Sequence, residues 1–248
     1  KPENVDKDIV TTPTYIINDI LRDTVIPKCQ DKTVMEILSL KFADISCGSG
    51  AFLLELFQLL NDIVIDYYIQ NDASKLIQTN IDTYKLSFET KREILLNCVF
   101  GVDKDYNAVE ASKFGLLLKL LEGEDVNSVN KSNPILPDLD SNIFFGNSLI
   151  NSSEIIDNKT LEIINPFDFQ DLKFDVIVGN PPYLKVEDMK NITPIELPIY
   201  KDNFKSAYKQ FDKYFLFIEQ GLNLLKEEGV LGYIVPSKFT KLGSGKNL

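Results

Sequence analysis

The sequence predicts an α/β fold built on a doubly wound, mostly parallel sheet, and three observations carry that prediction. Short apolar runs of strand length alternate with longer amphipathic segments, the pattern of repeated strand–helix units. Asp44-Ile45-Ser46-Cys47-Gly48-Ser49-Gly50 turns a strand into a helix through two glycines. Phe174-Asp175-Val176-Ile177-Val178-Gly179-Asn180-Pro181-Pro182-Tyr183 runs an apolar strand into two prolines that forbid its continuation.

Composition narrows the chemistry. With 248 residues, 44% hydrophobic and 25% charged, the chain can bury one sizeable core, and no apolar run reaches membrane-spanning length. The first residues do not read as a secretory leader, and Cys29, Cys47 and Cys98 lack Cys-x-x-Cys spacing, so neither disulfides nor a zinc site are indicated and a soluble, cytoplasmic protein is expected. The sequence has no histidine, which removes serine–histidine triads and most catalytic zinc sites. Chemistry must run on carboxylates, amides, tyrosine or a cofactor. A net charge of −11 argues against these residues gripping a nucleic acid unaided. Because the chain starts at Lys1 and ends just after a Gly-Ser-Gly-Lys stretch, it is expected to be part of something longer.

In chain order, residues 1–8 read as a solvated tail. Thr12 reads as the N-cap of an amphipathic helix over residues 16 to about 26, with Pro13 at its first position. The first strand lies around Phe42-Ala43-Asp44-Ile45, and a long helix follows the glycine turn from 51 to about 69. Gly48 and Gly50 permit positive φ and close ligand approach. Leu53 stands where a dinucleotide fingerprint needs its third glycine, and no phosphate-cradling Gly-Lys-Ser/Thr loop follows. Asp44, four positions ahead of Gly48, suits a ligand carrying an amino group better than a pyrophosphate.

Residues 71–87 read as a polar, structure-poor insertion and 88–97 as a helix. Here Asp82 and Glu89-Thr90-Lys91 carry a weak likeness to an acidic–Glu-x-Lys nuclease site. A second strand over 98–103 ends in Asp103, an acid placed to accept from both hydroxyls of a ribose. The helix over 108–121 offers Val109, Phe114, Leu117, Leu118 and Leu121 as core stripes. A polar loop over 122–141 leads to a third strand, 142–145, and then Gly146-Asn147-Ser148-Leu149. After the fourth strand, residues 184 to about 205 lack strong periodicity; a helix over 211–226 and a strand over 230–235 close the pattern.

The proline corner has its own chemistry. Pro181 and Pro182 fix a rigid turn whose carbonyls have no local donor, the Asn180 side-chain oxygen is a second acceptor, and Tyr183 offers a flat aromatic face. Two acceptors beside a π-face suit an amino group on a planar ring. Four residues are equally compatible with a proline-rich loop carrying an incidental tyrosine, so the rest of the chain decides.

Taken together, Asp44-x-x-x-Gly48-x-Gly50, the acid at Asp103 and Asn180-Pro181-Pro182-Tyr183 resemble the S-adenosyl-L-methionine-dependent amino-methyltransferases. More narrowly, the chain is similar to the TaqI-like adenine-N6 DNA methyltransferases of restriction–modification systems, whose Thr-Pro segment and cofactor motif precede the catalytic motif. That resemblance implies a Rossmann-like sheet incomplete at its C-terminal end. Residues 1–40 would form a helical segment bearing the Thr-Pro motif and 41–248 the Rossmann-like core, with the C-terminal DNA-recognition domain absent. It implies cofactor contacts from Thr12, Pro13, Asp44, Gly48, Gly50, Asp103 and Asn147, and catalysis by Asn180, Pro181, Pro182 and Tyr183 without a metal. Asn147 stands where many relatives have an aspartate. The implied partner is double-stranded DNA with its target adenine flipped out, and some members fuse a nuclease to the methylase. The same corner can hold the amino group of a protein glutamine or an RNA base, and a catalytically silent structural or DNA-docking subunit is a further reading.

Overall fold

The computed structural model describes residues 12–129, 134 and 136–237. The expected tail, Thr11 and the Gly-Ser-Gly-Lys stretch lie outside the described residues. The strands are β1 (Phe42–Asp44), β2 (Ile77–Asn80), β3 (Thr83–Lys85), β4 (Val99–Asp103), β5 (Ile143–Phe145), β6 (Phe174–Gly179) and β7 (Leu225–Tyr233). Five form one parallel sheet in the order β5-β4-β1-β6-β7, while β2 and β3 form a separate antiparallel hairpin. The chain moves outward from β1 to β4 and β5, then crosses back to lay β6 on the other side of β1. The strand order therefore reverses at β1, and in an open parallel sheet the crevice at the carboxyl ends beside that reversal is where ligands bind.

The helices are α1 (Thr14–Thr24), α2 (Ile26–Cys29), α3 (Val34–Ile37), α4 (Ala51–Asn71), α5 (Phe88–Cys98), α6 (Tyr106–Leu121), α7 (Val126–Val129), α8 (Asn158–Ile164), α9 (Val186–Ile192), α10 (Glu196–Asn203) and α11 (Lys213–Leu224). Successive strand residues face opposite layers. Phe42, Val99, Val176 and Val178 join Leu21 of α1, Phe57 of α4, Leu95 of α5 and Leu116 of α6 in one core. Ala43, Phe100 and Ile177 join Met189 of α9, Tyr200 of α10 and Phe215 of α11 in the other. The sheet is thus covered on both faces. Phe174 breaks the alternation because the β6/β7 register shifts between Phe174 and Val176, leaving Asp175 to accept from the Lys41 N–H and the Lys226 ammonium, each at 2.7 Å.

Several sequence expectations change. Thr12 does not cap α1: Pro13 holds the N-cap place and its carbonyl accepts from Ile16 and Ile17. The insertion at 71–87 contains the β2–β3 hairpin, whose pairing is satisfied locally and leaves β2 exposed, so it carries no burial pattern. Residues 184–205 contain α9 and α10, each anchored by one short-spaced buried pair, Val186 with Met189 and Leu197 with Tyr200, too few positions to make a period visible. The polar loop at 122–141 includes α7, a single turn whose Ser128 N–H is capped by Asp125. On α6 the buried stripe is Val109, Ser112, Leu116 and Leu120, while Phe114 and Leu118 face solvent; apolar residues stand on more than one face of the helix, so its period was ambiguous.

Candidate active site

The glycine turn connects β1 to α4. Gly48 has φ 51°, and no atom lies within 4 Å of where its Cβ would stand, so the turn opens onto free space. Its N–H donates to Asp103 Oδ2 at 2.8 Å, which ties the turn to the tip of β4. Gly50, at φ 89°, is glycine for another reason: a Cβ there would collide with Ser112 of α6. Asp44 ends β1 almost wholly buried, its Oδ1 accepting from the Ser46 N–H at 2.9 Å. Burial pushes its carboxyl up to about 7; the Ser46 N–H pulls the other way and the nearby Asp103 charge adds to the rise. Burial also raises Asp103, whose Oδ1 accepts from the Asp105 N–H at 2.9 Å.

The proline corner begins where β6 ends. Gly179 has φ 153°, and a Cβ there would stand 2.7 Å from Asp44 Oδ1, so the acid of the glycine-turn strand lies directly against the start of the corner. Asn180 Nδ2 donates to Thr12 Oγ1 at 3.0 Å. The Tyr183 hydroxyl lies 2.5 Å from Asn180 Oδ1 and 2.7 Å from the Ile234 carbonyl just past β7. The Ile234 N–H in turn donates to the Gly179 carbonyl at 3.1 Å. The half-buried Tyr183 ring meets Tyr214 edge to face at 5.8 Å, and burial raises its phenol. Pro181 is buried and Pro182 half-buried.

Thr12, Asp44, Gly48, Asp103, Asn180 and Tyr183 therefore gather at the carboxyl edge of the sheet. Asn147 lies just beyond β5, buried, with Oδ1 accepting from the Leu149 N–H at 3.1 Å and Nδ2 reaching the Tyr200 hydroxyl at 3.5 Å. Tyr200 donates to Glu196 at 2.6 Å, and Glu196 pairs with the buried Lys213 at 3.3 Å. Pro13 is exposed and serves α1 through its carbonyl. The nuclease likeness is not assembled: the Lys91 ammonium is bound by Glu124 and the Glu122 carbonyl, Glu89 lies beside Arg92, and Asp82 sits in the exposed hairpin turn. Among the described residues no group of three or more histidine, cysteine or acidic side chains is placed to hold a metal.

Sequence reasoning missed Ser46, Ser112, Tyr214 and the Ile234 carbonyl. Tyr214 left a trace in the aromatic run Tyr214-Phe215-Leu216-Phe217, and Ser46 stands inside the quoted glycine-turn stretch, two residues from the Asp44 it donates to. Ser112 and the Ile234 carbonyl act through contacts distant in sequence, which no local pattern reports.

An open glycine turn into a helix, an acid on the next strand tip and an Asn-Pro-Pro-Tyr corner thus share one edge of a doubly wound parallel sheet, at its reversal. A family model described as Eco57I restriction-modification methylase matches residues 97–248. The chain belongs to that family. It is 60% identical over 248 residues to the type II restriction enzyme and methyltransferase RM.Eco57I of Escherichia coli, covering all of this chain and 25% of that protein. It is 23% identical over 266 aligned residues to the adenine-specific methyltransferase PglX of Streptomyces coelicolor, covering 97% of this chain and 20% of that protein. In fold it is similar to a nuclease-deletion mutant of the Type ISP restriction-modification enzyme LlaGI, solved with a DNA substrate mimic. The TM-score is 0.60 at 16% identity, over 96% of this chain and 19% of that one. The chain spans a quarter or less of each of these proteins.

Proposed function

We propose that this chain transfers a methyl group from S-adenosyl-L-methionine to the N6 amino group of an adenine flipped out of double-stranded DNA. One observation carries the reading: Asp44, at the strand tip that opens the glycine turn, abuts Gly179, from which the corner starts. A ligand held at the turn and an amino group held at the corner are thereby neighbours. The residues fit such a cofactor. Gly48 leaves open the space a side chain would fill, Asp44 is a buried acid suited to an ammonium, and Asp103 is an acid at a strand tip suited to ribose hydroxyls. When bound, the cofactor supplies an electrophilic methyl group. Asn180 Oδ1 and the Pro181 carbonyl accept from the target amino group and draw its lone pair out of conjugation, while Tyr183 stacks the ring. Asn147 reaches Tyr200, a member of the core layer against which Tyr183 packs. The contribution of these residues is positioning and electrostatics, and a base must leave the duplex stack to reach them.

The net charge of −11 is the reason to assign sequence recognition to a domain outside residues 1–248. A fused nuclease is proposed on the same footing, from the printed description of RM.Eco57I as restriction enzyme and methyltransferase. Among the described residues no helix is long and apolar enough to cross a membrane. A cytoplasmic location beside the DNA is the proposal.

The test is single-turnover transfer of labelled methyl to duplex DNA by the full-length protein, with the modified base identified by mass spectrometry. N6-methyladenine is the expected product. Label on cytosine, on RNA or on a protein glutamine would overturn the substrate, and failure to bind the cofactor in calorimetry would favour a silent docking subunit.

A further inference from the structure

We propose that the segment following the proline corner is this chain's own surface for the sugar-phosphate backbone of DNA, with Lys190, Lys201, Lys205 and Lys209 as its phosphate contacts. The inference rests on the methyltransferase reading and gives that site a sequence-independent grip on the strand beside the target adenine. A chain at −11 repels a polyanion unless cations are gathered, without acidic partners, at the place of contact.

By composition residues 184–213 show no such place, because acids accompany the lysines. Folding separates the two. Glu196 is turned inward, accepting from the Tyr200 hydroxyl at 2.6 Å and pairing with the buried Lys213 at 3.3 Å. Glu219 of α11 accepts from the backbone N–H groups of Lys205 and Ser206, at 3.1 and 2.8 Å. Glu187 and Asp188 stand in the first turn of α9, where acids complement the helix dipole. Lys190, Lys201, Lys205 and Lys209 are exposed, and none of them forms an ion pair among the described residues. Lys190 and Lys201, with Asp202, line an open groove of about 380 Å³ on α9 and α10. On the turn before α11, Lys209 has φ 53°, and its ammonium stands 5.0 Å from the centre of the exposed Tyr208 ring. That turn is fixed to the continuation of the corner: the Val186 N–H donates to the Phe211 carbonyl at 3.0 Å and the Lys213 N–H to the Leu184 carbonyl at 2.8 Å. The cations are therefore carried on backbone held against the residues that directly follow Tyr183.

The experiment measures how the full-length protein's affinity for a DNA duplex depends on salt. Each phosphate met by a lysine releases counterions and steepens the log–log slope by about one. Lys190→Gln with Lys201→Gln should flatten that slope by about two, and Lys205→Gln with Lys209→Gln by about two more. S-adenosyl-L-methionine affinity should stay unchanged in calorimetry. Tyr208→Ala should weaken duplex binding roughly threefold and Tyr208→Phe leave it unaltered, because the ring only steadies the Lys209 ammonium. Lys75→Gln, just past the end of α4 remote from the glycine turn, removes the same charge and should leave the slope as it is. Unchanged slopes in both lysine pairs, an equal flattening in Lys75→Gln, or an effect with an RNA duplex and none with DNA would overturn the inference. Failure of the parent protein to methylate DNA would instead overturn the methyltransferase reading, and the salt slopes, which need neither cofactor nor transfer, would still judge this surface by themselves.

Discussion

At the scale of single residues the proposed function gives the corner an acceptor, Asn180, and a platform, Tyr183. Asn180→Ala removes an oriented acceptor, so methyl transfer should fall roughly 10²–10³-fold in single-turnover assays while cofactor affinity survives. Tyr183→Ala should lose about 1–3 kcal/mol of base stacking. From the sequence alone Tyr183 offers a ring face, and Tyr183→Phe would retain most activity. The structure engages its hydroxyl with Asn180 and Ile234, so Tyr183→Phe should lose up to roughly tenfold in rate, the worth of one neutral hydrogen bond. Asp44 adds a conflict between stability and binding. Its carboxyl titrates near 3.8 when unfolded and about 7 when folded, so the folded state holds the extra proton and stability declines as pH rises between those values. Asp44→Asn keeps an oxygen for the Ser46 N–H and carries no charge. Above pH about 7 it should be more stable than the parent in denaturant titrations by on the order of 2–4 kcal/mol, losing that advantage below pH about 4. The same variant should bind the cationic cofactor worse, and a variant destabilised at neutral pH would refute the buried-acid account.

At the scale of elements, the β1–α4 turn uses its two glycines for different ends. Gly48→Ala meets open space and should cost about 1–2 kcal/mol for the left-handed backbone alone, yet abolish close approach of the cofactor. Gly50→Ala adds a collision with Ser112 to the same backbone strain, so it should destabilise the fold by more than Gly48→Ala in thermal melts. Equal melting temperatures would show that α6 gives way. The elements legible in the sequence were those with a strong local signal: β6 by its β-branched run, the glycine turn by its composition, and α4 by its length. The corner's own residues were legible too, because proline acts through its own ring. By contrast α9 and α10 were hidden, since each is held by a pair of residues and by contacts with α11 and the sheet.

At the scale of the molecule, a buried ion pair, Lys213 with Glu196, joins α11 to α10. Burial pushes Lys213 down to about 8 despite Glu196 beside it. Glu196→Gln leaves that ammonium uncompensated and should cost about 3–5 kcal/mol in denaturant titrations, whereas Lys213→Met combined with Glu196→Leu should be close to neutral. A neutral Glu196→Gln would mean that the pair is not desolvated as described. The purified 248-residue chain, at −11, should retain duplex DNA weakly, without site preference, and lose it at physiological salt. Tight site-selective retention in a filter assay would relocate recognition to these residues.

While it missed the β2–β3 hairpin and started β7 five residues late, the sequence by itself determined the class of fold, the order along the chain of β1, β4, β5 and β6, and the acids Asp44 and Asp103 at two strand tips. Those follow from short-range rules of residue type: β-branched runs extend, glycines turn, prolines stop. Tertiary structure alone decided what these residues do to one another. It set Asp44 against Gly179, tied Asp103 to the Gly48 N–H, turned Asn147 toward Tyr200 and gave the Asn180 amide to Thr12. Such contacts join positions that packing brings together after the chain has crossed the sheet, and the direction of a side-chain hydrogen bond leaves no period in the sequence from which it could be read.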